Sequence, residues 1–462
     1  MLESAAQWLT RVADTVCGLP MFLVLIGGGL FLFLAGGAVS IRRLPRALAE
    51  LRSSRSGGQG QISSAQALAG VVSATVGMGN IAGVAIALVT GGPGAIFWMW
   101  VSAIVGMSTK YHEGVLAIKY RGTTDTGEPA GGTMHIIDRA LGPRWHWLAT
   151  AFAVAGMFGT LCIMNANQLT EAVATVVSPE GASSLRLRLI IGLAIAAVVA
   201  AVVLGGIKRI ARVASWLVPF MVGAYFLMVL YIILTRLPDV PGVISSIFSE
   251  AFSLRAGWGA LIGVAIIGAR RAAFVNDAGV GTATIMHGAS RNDEPVREGL
   301  IAMLGPAIDS GLVCTLTALA ILLGTDLSAV EGVKGLSIAL DAFGSCIPGG
   351  HMMLMVVVTC FAISSMFSYS FYGTRCAAYL VGERRARLYT YIFIATLVVF
   401  AVLPVTAAVS LCDLFYALMV FPTMFTVLAL SGRVRAETRR YFSALPDSPA
   451  SPSPSLTAIE ES

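Results

Sequence analysis

A run of small polar residues and glycines, Ser73 to Gly83, lies inside an apolar segment long enough to cross a bilayer. Gly77 and Gly79 each weaken a helix by roughly 1 kcal/mol relative to alanine. Backbone groups that a loosened helix exposes in hydrocarbon carry a large free-energy cost unless protein, water, an ion or a ligand bonds them. The stretch therefore predicts either a binding site at a helix interruption or close helix packing.

A second apolar segment, Trp258 to Met286, combines glycines with ionisable and amide side chains. These residues are Arg270, Arg271, Asn276, Asp277, Gly279 and Gly281. Ionisable groups at membrane depth indicate a functional site by default. Arg270, Arg271 and Asp277 fit a gate or an internal ion pair, and they fit equally well a structural pair that lines a water-filled vestibule. Asp309 fits either a structural partner or an ion ligand.

The composition is that of a membrane protein with many spans. Of 462 residues, 56% are hydrophobic and 12% are charged, whereas soluble proteins carry about 25% charged residues. The seven cysteines form no metal-like or CxxC spacing and are interpreted as small hydrophobic residues. HExxH, GxSxG and paired catalytic carboxylates are absent from the sequence, so no enzyme is predicted.

Hydropathy predicts eleven spans after an interfacial helix at Met1–Gly18, with a signal peptide as the alternative for the first span. The predicted spans are Leu19–Ser40, Ser64–Thr90, Ala95–Leu116, Trp145–Val177, Leu187–Leu204, Val213–Leu234, Trp258–Met286, Gly299–Leu323, Met352–Ala378, Leu388–Val405 and Val409–Leu430. With Lys110 counted as a loop residue, 23 of the 31 Lys and Arg residues fall on one side and 6 on the other. The positive-inside rule then predicts an outer N-terminus and a cytoplasmic C-terminus.

The two interrupted spans are the first and sixth of the last ten, so a repeat of five spans would be inverted in its second copy. The predicted fold is an all-α polytopic membrane protein with five-plus-five inverted repeats and one extra N-terminal helix. Such repeats with broken helices predict a secondary transporter whose site lies near the midplane. The predicted divisions are 1–63 (N-terminal segment, first span and basic loop), 64–236 (first repeat), 237–257 (outer connection), 258–431 (second repeat) and 432–462 (disordered tail).

The first interruption suits a zwitterionic ligand. A carboxylate can accept hydrogen bonds from backbone amides where the half-helix after Gly79 begins. We expect the substrate or the adjacent ion to contact Ala74, Thr75, Met78, Gly79 and Asn80. In the second interrupted span, Asn276 is predicted to reach the substrate, and Phe274 either walls the pocket or only packs.

Several motifs resemble the alanine or glycine:cation symporters, also called the sodium:alanine symporters. The sixteen residues Gly91 to Gly106 (GGPGAIFWMWVSAIVG) are similar to that family's signature along their whole length. Further similar stretches are Ala74–Gly83, Lys208–Ala211, Arg270–Gly279 and Met303–Pro306 followed by Asp309. The resemblance implies the inverted-repeat transporter fold, sodium coupling and import of a small neutral amino acid. It further implies residence in the bacterial inner membrane, and a monomer is expected.

The same resemblance implies a sodium site. Ser73 to Asn80 looks like the unwound first core helix of sodium-coupled amino-acid transporters, and the carbonyls of Ser73 and Val76 would hold the ion. Hydroxyls of Ser364 and Ser365 on the eighth core span would complete the site. The alternative for these serines is ordinary hydroxyl-to-backbone bonding within a membrane helix.

The chain departs from the family pattern at positions predicted to line the pocket. Leu161 and Cys162 replace Gly and Asn, and Asn165 replaces Gln. Met78 replaces Thr, Val275 replaces Ser, Asp277 replaces Glu and Tyr369 replaces Trp. Asn165 and Tyr369 are therefore further candidate substrate contacts. The substitutions make the predicted pocket bulkier or less polar in places than the family pattern, so specificity for alanine or glycine is expected to be less strict. A different small neutral amino acid, a D-isomer, proton coupling and a channel are the alternatives.

Overall fold

The structure, a computed structural model, covers most of the chain. It describes residues 15–17, 19–53, 58–125, 127–178, 184–252, 258–327, 335–403 and 405–444, with only the backbone at 258–262, 270, 273–274, 405–409 and 413. Most of the predicted interfacial helix and the side chains of Phe274 and Arg270 therefore lie outside the described residues.

Helices make up most of the described chain. They are α1 (Thr15–Ala35), α2 (Leu44–Arg52), α3 (Ser64–Thr75), α4 (Gly79–Gly91), α5 (Gly94–Lys119), α6 (Thr133–Ile136), α7 (His146–Gly159), α8 (Ile163–Val177), α9 (Leu185–Val203), α10 (Gly206–Thr235), α11 (Val240–Ala251), α12 (Trp258–Asn276), α13 (Thr282–Gly288), α14 (Pro295–Gly324), α15 (Leu336–Cys346), α16 (Gly350–Val381), α17 (Glu383–Val402), α18 (Val405–Ala429) and α19 (Ser431–Ser443). Strands β1 (Gly122–Thr123) and β2 (Pro129–Ala130) pair antiparallel.

The span count is lower than the sequence predicts. Among the described residues, eight helices are long and apolar enough to cross a bilayer, and the bent pair α3–α4 would make a ninth. Helix α5 has 26 residues, and a helix of that length measures about 39 Å. Its Lys110 and Glu113 lower its hydropathy, and α12–α13 is similarly polar, so the count of eleven is not confirmed.

Polar residues concentrate inside the helical bundle and apolar residues on its surface. Helix α16 is 67% buried over its most apolar window, whereas α9, α10 and α17 are only 28–33% buried. Large apolar side chains such as Trp216, Phe220 and Leu227 on α10 are exposed. This distribution suits a lipid-facing exterior around a central helix that carries the buried Ser364 and Ser365.

The predicted first interruption is present between α3 and α4. Val76 is extended (φ −74°, ψ 96°), and the two helices meet at a bend of 56°. The amide of Gly77 donates to Asn80 Oδ1 at 2.9 Å. Helix α4 then starts with a π-helical turn, Gly79–Gly83. The chain thus leaves helical geometry at the glycines that predicted it.

The second interruption separates α12 from α13. It contains three residues of positive φ: Asp277 (50°), Gly279 (88°) and Gly281 (92°). Only glycine, and less readily Asn or Asp, adopts such angles at low cost. The sequence therefore ends α12 at Asn276 and begins α13 at Thr282.

Substitution of Gly281 by alanine tests how tightly this interruption is packed. A Cβ there would lie 2.5 Å from both Thr133 Oγ1 and Thr423 Oγ1 and would also be strained at φ 92°. We expect Gly281→Ala to destabilise the fold by about 1–3 kcal/mol, measured as a lower melting temperature in detergent. Gly223→Ala on α10 is the control, because a Cβ there meets nothing within 4 Å. Equal melting temperatures would contradict the expectation.

A third interruption divides the segment predicted as one span, Trp145–Val177. Helix α7 ends at Gly159 and α8 begins at Ile163, with Cys162 between them at φ 55°. The hydroxyl of Thr160 donates to Gly156 O at 2.7 Å. The segment still counts as one candidate span, Pro143–Val177, as the sequence predicts. The break inside it was not predicted, because no glycine or proline follows Gly159 to signal it.

Lys110 was predicted to lie in a basic loop, and this prediction was wrong. Its side chain is fully buried on α5 beside Glu113, 3.8 Å from Nζ to Oε2. Helix α5 extends to Lys119, three residues beyond the predicted end of the span. Counting Lys110 as a loop residue because of its charge was the error, since the fold encloses it together with His112 and Glu113.

The tail predicted to be disordered from residue 432 is helical in its first part. Helix α19 spans Ser431–Ser443. Glu437 pairs with Lys119, Thr438 bonds the Tyr111 hydroxyl at 2.7 Å, and Arg440 pairs with Glu294 at 2.6 Å. These tertiary contacts order a polar sequence that its composition alone marks as a tail. Residues 445–462 lie outside the described residues.

Candidate functional site

A small cavity lies where the helix interruptions meet. Its volume is about 120 Å³, slightly below the roughly 150 Å³ of an engineered cavity that binds benzene. It therefore has room for a small solute. The lining residues are Ala74, Thr75, Gly77, Met78, Gly79, Gly83, Ile86, Gly159, Cys162, Met164, Asn165, Arg271, Val275, Asp277, Ser365, Tyr369, Cys412 and Tyr416.

Most of the predicted substrate contacts surround this cavity. The predicted residues among its lining are Ala74, Thr75, Met78, Gly79, Asn165 and Tyr369. Asn80 and Asn276 are not among them, and the Phe274 side chain lies outside the described residues. The structure thus brings together residues from both predicted interruptions, the third interruption and α16.

Asn80 and Asn276 support the interruptions instead. Asn80 Oδ1 accepts from the amide of Gly77, and its Nδ2 lies 3.4 Å from Asp309 O. Asn276 Oδ1 accepts from the amide of Ala278 at 3.0 Å. Each side chain bonds a backbone group that the end of a helix leaves without an intrahelical partner. The sequence pattern placed an amide at each break, but it did not say which way the amide points.

The four predicted sodium ligands lie together between α3 and α16. Ser73 Oγ donates to Ser364 O at 2.8 Å, and Ser364 Oγ lies 3.3 Å from Ser73 O. Ser365 Oγ bonds Phe361 O at 3.0 Å and would lie 2.9 Å from a Cβ placed on Gly77. Val76 adjoins this contact on the unwound backbone. Such a group of carbonyl and hydroxyl oxygens is suited to a hard cation.

Asp277 brings a carboxylate to the wall of the cavity. Its Oδ2 accepts from the Tyr369 hydroxyl at 2.7 Å and from Thr282 Oγ1 at 3.4 Å, and Tyr369 also bonds Tyr416. Arg271 lines the same cavity. Tyr416 and Cys412 also line the cavity and were not predicted from the sequence. They lie in a segment with the pattern of an ordinary apolar span, so nothing in the sequence marked them as site residues.

The lining offers complementary groups for a zwitterion. Helix α4 starts at Gly79, and the first turn of a helix offers amide donors without intrahelical partners, although the amide of Asn80 already bonds Gly77 O at 3.2 Å. Asp277 is a carboxylate acceptor, and Ala74, Met78 and Val275 are apolar. A molecule with a carboxylate, an ammonium group and a small side chain matches these groups.

Comparison with known proteins agrees with this geometry. Residues 2–453 match the sequence model of the sodium:alanine symporter family. The chain belongs to the sodium:alanine symporter family. The sodium/alanine symporter AgcS of Methanococcus maripaludis is 39% identical over 441 residues, which cover 94% of this chain and 96% of that protein. The probable sodium/glutamine symporter GlnT of Bacillus subtilis is 30% identical, with coverage of 87% and 82%.

The solved structure of MhsT in complex with L-phenylalanine shares the fold. Its TM-score is 0.58 at 15% identity, covering 82% of this chain and 89% of that chain. Membership in the sodium:alanine symporter family confirms the predictions of a multi-pass membrane protein that transports by symport and is not an enzyme.

Proposed function

We propose that this symporter carries a small neutral amino acid, alanine or glycine first, into the cell together with sodium. The observation that carries the proposal is that two interrupted helices meet at one small cavity beside a cluster of carbonyl and hydroxyl oxygens. Sodium would bind the carbonyls of Ser73 and Val76 and the hydroxyls of Ser364 and Ser365.

The amino acid would lie between the two interruptions. Its carboxylate would accept from the amides at the start of α4, and its ammonium group would bind Asp277. Met78 and Tyr369 would limit the side chain, which supports a small substrate. Ala74, Thr75, Gly79 and Asn165 would complete the contacts. The substrate would be affected indirectly by Asn80 and Asn276, which support the backbone at the two interruptions. Phe274 would form part of the pocket wall.

One sodium ion per cycle is sufficient for accumulation. A charge crossing about 100 mV supplies roughly 2.3 kcal/mol, and each 1.4 kcal/mol is worth about tenfold in concentration. The membrane potential alone thus supports roughly 50-fold accumulation of the amino acid.

The proposed architecture has eleven spans. One N-terminal span (within 1–63) precedes two inverted repeats of five, 64–236 and 258–431, which are joined by the connection 237–257 and followed by 432–462. The symporter would act as a monomer in the bacterial inner membrane. Its N-terminus would face outward and its C-terminus the cytoplasm.

Two alternatives share this fold. The protein would couple to protons instead of sodium, or it would carry another small neutral or D-amino acid. Because one relative is named as a probable sodium/glutamine symporter, larger amino acids with a side-chain amide, such as glutamine, should be tested as well. A channel would give uptake without accumulation.

Uptake of radiolabelled alanine into proteoliposomes tests the proposal. We expect accumulation with an inward sodium gradient, and little uptake when choline replaces sodium at fixed pH. Unlabelled glycine and alanine should compete, and D-alanine and glutamine complete the panel. Accumulation that persists in choline would establish the proton alternative. Sodium-dependent uptake of a different competitor would change the substrate but keep the mechanism.

A further inference from the structure

Two charged side chains are buried directly behind the second interruption. Lys110 and Glu113 lie one turn apart on α5, and both are fully buried. Lys110 Nζ is 3.8 Å from Glu113 Oε2. Glu113 Oε1 accepts a hydrogen bond from the amide of Gly279 at 3.0 Å. Glu113 therefore holds the backbone loop that carries Asp277 into the cavity.

This pair is poorly satisfied for so deep a site. Lys110 Nζ and Glu113 Oε2 have no hydrogen-bond partner in the part of the chain that the structure describes. Their separation is too long for a hydrogen bond. Buried charges normally acquire such bonds, and an incompletely bonded pair gives little net stability. Stability alone therefore does not explain why the chain keeps both groups here.

Other titratable groups face the pair from the neighbouring elements. Lys110 interacts electrostatically with Glu113, with Asp277 in the second interruption and with Asp309 on α14. Three buried carboxyl groups around one ammonium group cannot all stay ionised without further cations or protons. Further charged or titratable groups that, within the described residues, line the cavity or are buried in the core include Arg271 on α12, Tyr369 and Tyr372 on α16, Tyr416 on α18, His112 on α5 and the pair His287–Glu298.

We propose that Glu113 is a proton-binding site that controls the affinity of the cavity for its amino acid, an inference that rests on the proposed function. When Glu113 is ionised, it holds the amide of Gly279 and keeps Asp277 at the cavity wall. A proton taken from water converts the carboxylate into a carboxylic acid and weakens its contacts with Lys110 and Gly279. The loop then loosens and the amino acid is released. The proton returns to water when the loop closes again.

Glu113→Gln separates this role from that of a structural anchor. The glutamine carbonyl accepts the Gly279 amide only as a neutral group, as the protonated acid would, and it does not bind a proton near neutral pH. In the wild type, the KM for alanine should rise on acidification by up to about tenfold per pH unit, measured between about pH 5.5 and 8.5 at saturating sodium. In Glu113→Gln it should be independent of pH and close to the acid value of the wild type.

Glu298→Gln is the matched control. Glu298, which lies on α14, is also fully buried, but it bonds His287 on α13, Ser64 on α3 and Asn292, and it does not line the cavity. This variant should keep the wild-type dependence of KM on pH. A wild-type pH profile in Glu113→Gln, or a wild-type KM that does not change with pH, would overturn the inference while leaving sodium-driven uptake intact.

Two further measurements keep the inference testable if Glu113→Gln does not transport. Lys110→Met removes the neighbouring positive charge, so the midpoint of the KM profile should move to higher pH, whereas Lys110→Arg should keep it. If the wild type itself takes up no amino acid, the proposed function fails. Proton binding by Glu113 is then tested separately, by comparing the melting temperatures of the wild type and Glu113→Gln at several pH values. A difference between wild type and Glu113→Gln that varies with pH supports proton binding, and a constant difference overturns it.

Discussion

Ser365→Ala should raise the sodium concentration needed for half-maximal uptake by more than tenfold. The Ser365 hydroxyl is fully buried, lines the cavity and lies against the unwound backbone at Gly77. A hydrogen bond or ligand contact to a charged group contributes about 1.5–3 kcal/mol, which corresponds to roughly tenfold or more in affinity. The substitution leaves helix α16 intact, since within the described residues the only hydrogen bond of the Ser365 hydroxyl is to Phe361 O on the same helix.

Ser370→Ala on the same helix is the control. Its hydroxyl is equally buried, bonds Phe367 O at 2.9 Å and does not line the cavity. We expect its sodium dependence to match the wild type in the same proteoliposome assay. An unchanged sodium affinity in Ser365→Ala would show that the hydroxyl only bonds its own helix, and the proposed ligand set would have to be abandoned.

The backbone breaks of this fold are visible in the sequence when glycine causes them. Gly77 and Gly79 predicted the first interruption, and Gly279 and Gly281 predicted the second, because only glycine reaches the required angles cheaply or weakens a helix enough. The third interruption depends on Cys162 at φ 55°. A residue other than glycine rarely adopts this conformation, so a local sequence pattern does not predict the break.

Side-chain directions and burial were harder to predict than the breaks. Asn80 and Asn276 are at the interruptions as expected, but they bond the backbone of Gly77 and Ala278 instead of lining the cavity. Lys110 carries a charge that is typical of a loop or the end of a span, and yet its side chain is fully buried on α5. In each case the deciding factor is a contact between segments far apart in sequence, such as Glu113 with Gly279.

Asp277→Asn should raise the KM for alanine by roughly tenfold to a hundredfold. The substitution removes the negative charge that would bind the ammonium group, and charge-assisted hydrogen bonds contribute about 1.5–3 kcal/mol. Asparagine tolerates the positive φ of 50° at this position. Its amide oxygen can still accept from the Tyr369 hydroxyl, which lies 2.7 Å from Asp277 Oδ2. The fold should therefore survive while substrate binding weakens.

Tyr369→Phe provides the comparison, because it removes the hydroxyl but leaves the Asp277 charge in place. Because the hydroxyl supports Asp277 and does not itself pair with the ammonium group, we expect a loss of about 1 kcal/mol, and KM should rise only about fivefold. Competition by propionate, which has no amino group, separates charge recognition from general damage. Wild type and Tyr369→Phe should both prefer alanine strongly over propionate, and Asp277→Asn should lose much of that preference. If Asp277→Asn keeps the full preference, the ammonium group binds elsewhere, and Asp277 serves to hold Tyr369 and Thr282 at the second interruption.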